Sequence, residues 1–274
     1  MKYMKPPIKV LVTGAYGLIG NIVFSHLSAQ PERYEPYAMV RRMQPSSRTH
    51  GLKVYEVPPE RLRIADLVDF PAVQSAVAGM QVVVHLAADP DGRSGWESIR
   101  DNNITGVYHL FEACRIARVQ RVIFASTNQV IFGYKDQEPY KTLFEERYED
   151  LDPNELKPIL HTMPARPINL YASSKVWGEM VAHQYAMNHS MSCLVLRIGW
   201  VVAEDAPPKK RWGRFLWCSQ RDIAQLIERC ILAPDDLRFD IFFGHSDNLY
   251  RLVDLDHARD VVGYQPRDRA ENYL

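Results

Sequence analysis

Residues Ile8 to Gly20 read IKVLVTGAYGLIG, and this stretch decides the expected fold. It opens with a short apolar run, typical of a strand buried on both faces, and continues into apolar residues at helical spacing. Three glycines lie between these parts, Gly14, Gly17 and Gly20. Glycines there allow a tight turn, close approach of the backbone to a pyrophosphate and close helix–strand packing. An ordinary strand–turn–helix unit fits the same letters, but the strand before and the helix after favour a dinucleotide-binding turn.

The length of 274 residues favours one large α/β domain, or a domain with a small lobe. Acidic and basic residues are equal in number, 33 each, so no global charge favours nucleic acid or an anionic membrane. The sequence contains no long apolar run, and its first residues do not read as a signal peptide. We therefore expect a cytoplasmic protein without membrane or nucleic-acid partners.

Four cysteines are scattered along the chain with no CxxC pairing and no nearby histidine cluster, at Cys114, Cys193, Cys218 and Cys230. Such residues are typical of small buried side chains in a reducing compartment. The sequence predicts neither a disulfide nor a metal site.

The second strand is predicted at Tyr37–Val40, and Arg41 and Arg42 follow it directly. In a dinucleotide fold the tip of this strand meets the adenosine ribose, where an acidic residue would bind the hydroxyls of NAD. No acidic residue lies between Met39 and Arg48. A guanidinium suits a 2′-phosphate, although solvated loop charges fit equally well. The sequence therefore favours NADP, with NAD as the alternative.

Later strands also end in residues suited to a ligand, because open α/β sheets bind ligands at the carboxyl ends of their strands. Leu62–Ala65 is a predicted strand that ends at Asp66, and the buried strand Gln81–Ala88 ends in small residues. The strand Arg121–Ser126 leads into hydroxyl and amide side chains, Ser126, Thr127, Asn128 and Gln129.

Tyr171 and Lys175 lie four residues apart at the start of a predicted helix, so their side chains share one face. An ammonium beside a phenol favours the phenolate, so the tyrosine can exchange a proton near neutral pH. Alone, the pair would read as a solvated helix face. Its position after the Ser-Thr strand favours a catalytic role.

The chain resembles, over nearly its whole length, the extended branch of the short-chain dehydrogenase/reductase superfamily. The matching motifs are TGAYGLIG (Thr13–Gly20), DL (Asp66-Leu67), HLAA (His85–Ala88), NITG (Asn103–Gly106), FAST (Phe124–Thr127) and YASSK (Tyr171–Lys175). The resemblance implies an α/β fold with a Rossmann-type doubly wound parallel sheet and a small C-terminal substrate lobe. We expect residues 1–190 to form the NAD(P)-binding domain and 191–274 to add a sixth strand and the lobe, as one integrated unit.

The same resemblance assigns roles. Tyr171 would be the acid/base, Lys175 would orient the ribose and lower the tyrosine pKa, and Thr127 would supply the catalytic hydroxyl usually given by serine, with Ser126 as the fallback. The residues expected to contact the cofactor are Gly14, Tyr16, Gly17, Leu18, Ile19, Arg41, Arg42, Asp66, Leu67, Leu86, Ala87, Ala88, Asn103, Tyr171, Lys175 and Ile198.

Among relatives, the sequence looks most similar to uronate dehydrogenases and related free-sugar dehydrogenases, in which hydride leaves the anomeric carbon and a lactone forms. The expected substrate contacts are Thr127, Asn128, Gln129, Trp200, Arg211 and Arg214. Gln129 stands where these enzymes have a histidine, and Trp200 where they have a small polar residue. One arginine of the Lys209–Arg214 loop would match their carboxylate-binding arginine.

Two other functions are open. A nucleotide-sugar epimerase or dehydratase is the alternative enzyme, but the C-terminal lobe expected of those relatives is longer. A catalytically silent NADP-sensing module is disfavoured because Thr127, Tyr171 and Lys175 are all present. A homodimer through the helices containing Asn103–Cys114 and Tyr171–Met187 is expected by analogy.

Overall fold

The computed structural model describes residues 4–209 and 212–273. Within them, seven parallel strands form one sheet in the order β3-β2-β1-β4-β5-β6-β7. The strands are β1 (Ile8–Thr13), β2 (Tyr34–Val40), β3 (Leu62–Ile64), β4 (Val82–His85), β5 (Arg121–Thr127), β6 (Ser192–Ile198) and β7 (Phe239–Gly244). The strand order reverses between β1 and β4, and ligands bind at such a reversal.

Helices connect the strands and cover both faces of the sheet. They are α1 (Leu18–Ser28), α2 (Phe70–Val77), α3 (Trp96–Ile99), α4 (Gly106–Ile116), α5 (Tyr140–Phe144), α6 (Leu170–Asn188), α7 (Gly213–Leu216), α8 (Gln220–Ile231) and α9 (Asp256–Val262). Short 3-10 segments include Ser47–Thr49 and Asn128–Asp136.

The strand residues divide between two hydrophobic cores. Val10 and Val12 of β1 pack in one core with α1 and α8, whereas Leu11 packs in the other with α2, α4 and α6. Burial on both faces explains why the parallel strands read as continuous apolar runs. The doubly wound Rossmann-type prediction is confirmed.

The helical region formed by α3 and α4 is irregular at its centre. A π-helical segment, Arg100–Thr105, joins α3 to α4. The Asn102 amide donates to the Ser98 carbonyl at 2.9 Å, and Asn103 is buried. π-Helical segments are common at functional sites. Asn103 lies on the buried side of this one.

The C-terminal part of the chain extends the same sheet. β6 lies beside β5, β7 forms the edge, and α8 returns along the face covered by α1. α8 begins after its N-cap residue, Ser219. The connection 134–167 contains the short helix α5 and a 3-10 turn at Tyr148–Asp150.

All four cysteines are buried and unpaired, as expected. Across residues 4–209 and 212–273, no helix combines the length and apolarity needed to span a bilayer.

Candidate active site

The glycine turn after β1 is shaped for close approach. Gly14 has φ +68°, and a Cβ atom there would lie 3.0 Å from the backbone of Ala87. A Cβ atom on Gly20 would lie 2.1 Å from the Gly14 carbonyl oxygen. Gly17 caps α1 without any side-chain hydrogen bond, so the first N–H groups of the helix are free for an anion. These features fit the pyrophosphate of a dinucleotide.

A cleft of about 860 Å³ runs from this turn across the carboxyl ends of the strands. It brings together most of the residues predicted to contact the cofactor, namely Gly14, Tyr16, Gly17, Leu18, Ile19, Arg41, Arg42, Asp66, Leu67, Leu86, Ala87, Ala88, Tyr171, Lys175 and Ile198. It also contains four of the predicted substrate contacts, Thr127, Asn128, Gln129 and Trp200.

The three predicted catalytic side chains meet in this cleft. Thr127 ends β5, and its hydroxyl lies close enough to that of Tyr171 to act against the rise of the tyrosine pKa. Lys175 donates from Nζ to the Ala125 carbonyl at 2.9 Å, and its Nζ lies 5.8 Å from the centroid of the Tyr171 ring. A hydroxyl pair beside a buried ammonium is suited to proton exchange with a substrate hydroxyl.

Burial dominates the acid–base properties of this group. It raises the pKa of Tyr171 to about 12, while the Thr127 hydroxyl and the Arg48 charge oppose the rise and Asp89 adds to it. Burial also lowers the pKa of Lys175 to about 8. The sequence led us to expect a lowered tyrosine pKa, whereas in the protein alone loss of solvation outweighs the favourable neighbours.

Asn103 does not line the cleft but supports its wall. Its side-chain oxygen accepts from the Asp89 backbone N–H at 2.8 Å, and its amide donates to the Asp89 carbonyl and the Ser174 hydroxyl, each at 3.0 Å. It therefore joins the loop after β4 to α6, next to Lys175.

Ser126, the fallback for the catalytic hydroxyl, is already engaged. Its hydroxyl donates to Glu179 at 2.5 Å, and Glu179 in turn pairs with Arg197 at 2.8 Å. Both charged side chains are almost fully buried. This network favours Thr127 for the catalytic position.

His85 is a buried residue of β4. Its Nδ1 lies 2.9 Å from the Thr13 hydroxyl, which also accepts from the backbone of Leu86 and Ala87, each at 3.1 Å. Burial and the Lys175 charge lower the pKa of His85 to about 3, so the ring is neutral. Its role is to hold the backbone that faces the glycine turn.

Two amides border the substrate end of the cleft. The Asn128 side chain is buried, and its Nδ2 has no hydrogen-bond partner within the described part of the chain. Gln129 accepts from Asn169, the N-cap of α6, at 2.9 Å. Asn128 therefore offers a free donor to a ligand.

Two arginines, Arg211 and Arg214, were predicted to contact the substrate, and only Arg214 belongs to the described residues. Arg214 does not line the cleft: its guanidinium lies 4.4 Å from the ring centroid of Tyr148 and 5.7 Å from that of Tyr250. This stacking uses the arginine in packing the connection between β5 and α6 against the C-terminal part of the chain. Arg211 lies outside the described residues.

The family can now be stated. Residues 10–262 match the model of the NAD dependent epimerase/dehydratase family. The chain belongs to this family. The predicted resemblance is thereby confirmed.

Several sugar dehydrogenases are similar to this chain over almost its full length. The chain is 31% identical to the NAD-dependent glucose-6-phosphate dehydrogenase of Haloferax volcanii, covering 96% of this chain and 95% of that protein. It is 30% identical to the L-arabinose 1-dehydrogenase (NAD(P)(+)) of the same organism, covering 96% and 97%. The crystal structure of a uronate dehydrogenase variant from Agrobacterium tumefaciens, complexed with NAD, superposes with a TM-score of 0.77 at 28% identity, covering 97% and 87%. These relatives favour a dehydrogenase over the epimerase alternative.

The predicted site residues did not include two residues that line the cleft in the structure. Arg48, in the loop after β2, and Asp89, in the loop after β4, both line it and both act on the pKa of Tyr171. Neither stands at a diagnostic spacing from the motifs. Their position depends on the paths of two loops, which local patterns do not reveal.

A cluster outside the cleft bears on metal binding. His161, Asp240 and His257 offer ligand atoms within 4.8 Å of one another. The two imidazole rings are stacked, with centroids 3.7 Å apart and an interplanar angle of 11°. Ring-nitrogen lone pairs lie in the ring plane, so one ion cannot lie in the planes of both stacked rings. The absence of a metal site stays a prediction.

Proposed function

We propose that this protein oxidises the anomeric C–OH group of a free sugar or sugar acid to a lactone, with NAD(P) as hydride acceptor. The observation that carries the proposal is the grouping of Thr127, Tyr171 and buried Lys175 in one dinucleotide-shaped cleft. The named dehydrogenase relatives support the substrate class.

The chemistry divides between protein and cofactor. When bound, the oxidised nicotinamide ring accepts the hydride, and its positive charge favours the tyrosinate form of Tyr171. Tyr171 removes the proton of the anomeric hydroxyl, and the Thr127 hydroxyl holds the same substrate oxygen. Loss of that proton and of the anomeric hydride leaves a carbonyl, which is the lactone carbonyl of the oxidised ring.

The cleft walls suit a polyol. Asn128 offers an unpaired amide donor, Gln129 is fixed by Asn169, and Trp200 provides a flat apolar surface. A sugar presents alternating hydroxyl groups and C–H faces, which such a combination can bind.

The decisive experiment is a panel of neutral aldoses, uronic acids and sugar phosphates, each assayed with NAD and NADP by nicotinamide absorbance. We expect stoichiometric reduction of the cofactor by at least one free sugar. Tyr171→Phe should lower turnover about 10²–10⁴-fold while leaving cofactor binding nearly intact. Conversion of one nucleotide sugar into another without net reduction would instead identify an epimerase.

For the cofactor, we propose a preference for NADP. Arg41 and Arg42 are exposed at the tip of β2, and Arg41 makes only a 3.3 Å hydrogen bond to Asn102 within the described residues. Replacing both arginines with alanine should weaken NADP binding far more than NAD binding. Equal losses for the two cofactors would show that Arg41 and Arg42 are ordinary surface charges.

We also propose a cytoplasmic location, which the buried, unpaired cysteines support.

A further inference from the structure

The start of α6 fixes the orientation of one side chain beside the catalytic end of the cleft. Asn169 is the N-cap of α6, and its side-chain oxygen accepts from the Ala172 N–H at 2.8 Å. A backbone N–H can only donate, so it is the Asn169 oxygen that faces the helix and the Asn169 Nδ2 that faces away from it. On the side away from the helix, Asn169 therefore presents a donor.

Gln129 receives this hydrogen bond. The Asn169 Nδ2 donates to the Gln129 Oε1 at 2.9 Å, so only one of the two orientations of the Gln129 amide satisfies both side chains. The backbone of Gly92 comes close to this bond, because a Cβ atom there would lie 3.6 Å from the Asn169 Nδ2 and 3.8 Å from the Gln129 Oε1. The Gln129 oxygen is thus committed to Asn169, and its Nε2 is the group left for a ligand.

The Gln129 Nε2 is open to the cleft. It has no hydrogen-bond partner within residues 4–209 and 212–273 and, unlike the Asn128 Nδ2, it is not sealed from solvent. Gln129 lines the cleft directly beside Thr127, whose hydroxyl accepts from the Gln129 backbone N–H at 3.2 Å. Because Thr127 holds the reacting oxygen in the proposed reaction, the Gln129 amide borders the space that the sugar occupies.

We propose that Asn169 is a positioning residue that makes Gln129 a donor to the substrate, so that the enzyme selects sugars with an acceptor oxygen at this point. The inference rests on the proposed sugar dehydrogenase function. Carboxylate, phosphate and hydroxyl oxygens can all accept this hydrogen bond, but only a hydroxyl can also donate one. The orientation of Gln129 therefore matters most for an oxygen that cannot donate.

The test is Asn169→Asp, which changes the shape of the side chain little and keeps an equally good N-cap. Both oxygens of the new carboxylate accept, so the Gln129 amide has to turn and donate to it, and the Gln129 oxygen then faces the sugar. Wild type and variant are assayed with glucose, glucuronate and glucose 6-phosphate at saturating cofactor. We expect KM for the preferred sugar to rise about 10-fold, the size of one lost hydrogen bond, with kcat nearly unchanged.

The three sugars distinguish which oxygen Gln129 recognises. If it is a carboxylate or phosphate oxygen, KM should rise for the sugar that carries this group and stay nearly unchanged for glucose. If it is a ring hydroxyl whose proton is bound elsewhere, KM should rise equally for all the sugars that are oxidised. Cofactor affinity, measured by nicotinamide fluorescence, and the midpoint of thermal unfolding should not change, because the helix cap is kept.

A double-mutant cycle separates the new charge from the orientation of Gln129. Gln129→Leu removes the amide, so adding Asn169→Asp to it should have no further effect on KM. Asn188→Asp is the matched control, because it makes the same change at an exposed residue at the other end of α6 and should leave KM and kcat unchanged.

Two results would overturn the assignment while leaving the proposed function intact. One is an unchanged KM in Asn169→Asp for every sugar that the wild type oxidises. The other is a rise of equal size when Asn169→Asp is added to Gln129→Leu, which would show that the charge acts without Gln129. If the wild type oxidises no sugar with either cofactor, the proposed function fails and the assignment fails with it.

Discussion

At the scale of single residues, Thr127 combines two tasks in one hydroxyl. The oxygen accepts from the Gln129 N–H at 3.2 Å, which starts the 3-10 segment after β5. The same hydroxyl lies near that of Tyr171 and opposes the effect of burial, which raises the tyrosine pKa. The backbone contact fixes the direction of the hydroxyl, so it is already in place when a sugar binds.

This arrangement predicts a shifted pH profile in Thr127→Val. Tyr171 must lose its proton to act as base, so sugar oxidation should rise with pH toward the tyrosine pKa. Without the Thr127 hydroxyl that pKa should rise further, because one of the groups that oppose the effect of burial is lost. Measured as kcat against pH, the rising limb should move to higher pH.

Thr127→Ser is the matched control, because it keeps the hydroxyl and should keep the wild-type profile. A Thr127→Val profile that falls in height without moving along the pH axis would mean that the hydroxyl positions the sugar but does not act on Tyr171.

At the scale of elements, a buried cluster around one ion pair connects α6, β5 and β6. These three elements form the catalytic end of the cleft. Glu179 of α6 accepts from Ser126 of β5 and from Arg197 of β6, the latter through both carboxylate oxygens at 3.0 and 2.8 Å. Glu179 and Arg197 have side chains 1% and 3% exposed. The contact ties the helix that carries Tyr171 to the strand that ends in Thr127.

Glu179→Gln should therefore destabilise the fold strongly. The substitution leaves the Arg197 charge buried without its partner, which typically costs about 3–5 kcal/mol. Urea unfolding measures the change in free energy. Glu145→Gln is the comparison, because the Glu145–Arg147 pair is nearly half exposed and should contribute about 0–1 kcal/mol. Similar losses in both variants would contradict a structural role for the buried pair.

The elements also show which parts of the site could be predicted from sequence. The glycine turn and the Tyr171–Lys175 pair depend on local spacing within one turn or helix, and the structure brings them into one cleft. Arg214 could not be placed correctly, because its two tyrosine partners come from distant loops. The inward position of Asn103 depends on a π-helical segment that apolar periodicity does not reveal.

At the scale of the whole molecule, the described residues of α4 and α6 include one exposed apolar face. The inner sides of both helices pack in the same core against the sheet. Their outer sides expose large apolar residues, Tyr108, Ile116, Trp177, Met180 and Met187. On α6 the spacings of three and ten residues keep 177, 180 and 187 on one side of the helix. Several large apolar side chains exposed on two neighbouring helices are typical of a protein–protein interface.

We predict that a second copy of the chain covers this face in a homodimer. A twofold interface would pair the same patch from both subunits, at about 800 Å² per partner for a stable complex. Light scattering after size exclusion should give twice the chain mass of 31.6 kDa for the wild type. Trp177→Glu, which places a charge at a side chain that is 44% exposed, should give the monomer mass. Leu249→Glu changes a residue of similar exposure, 40%, outside this face and should stay dimeric. A wild type of monomer mass, or a dimer that persists in Trp177→Glu, would contradict the prediction.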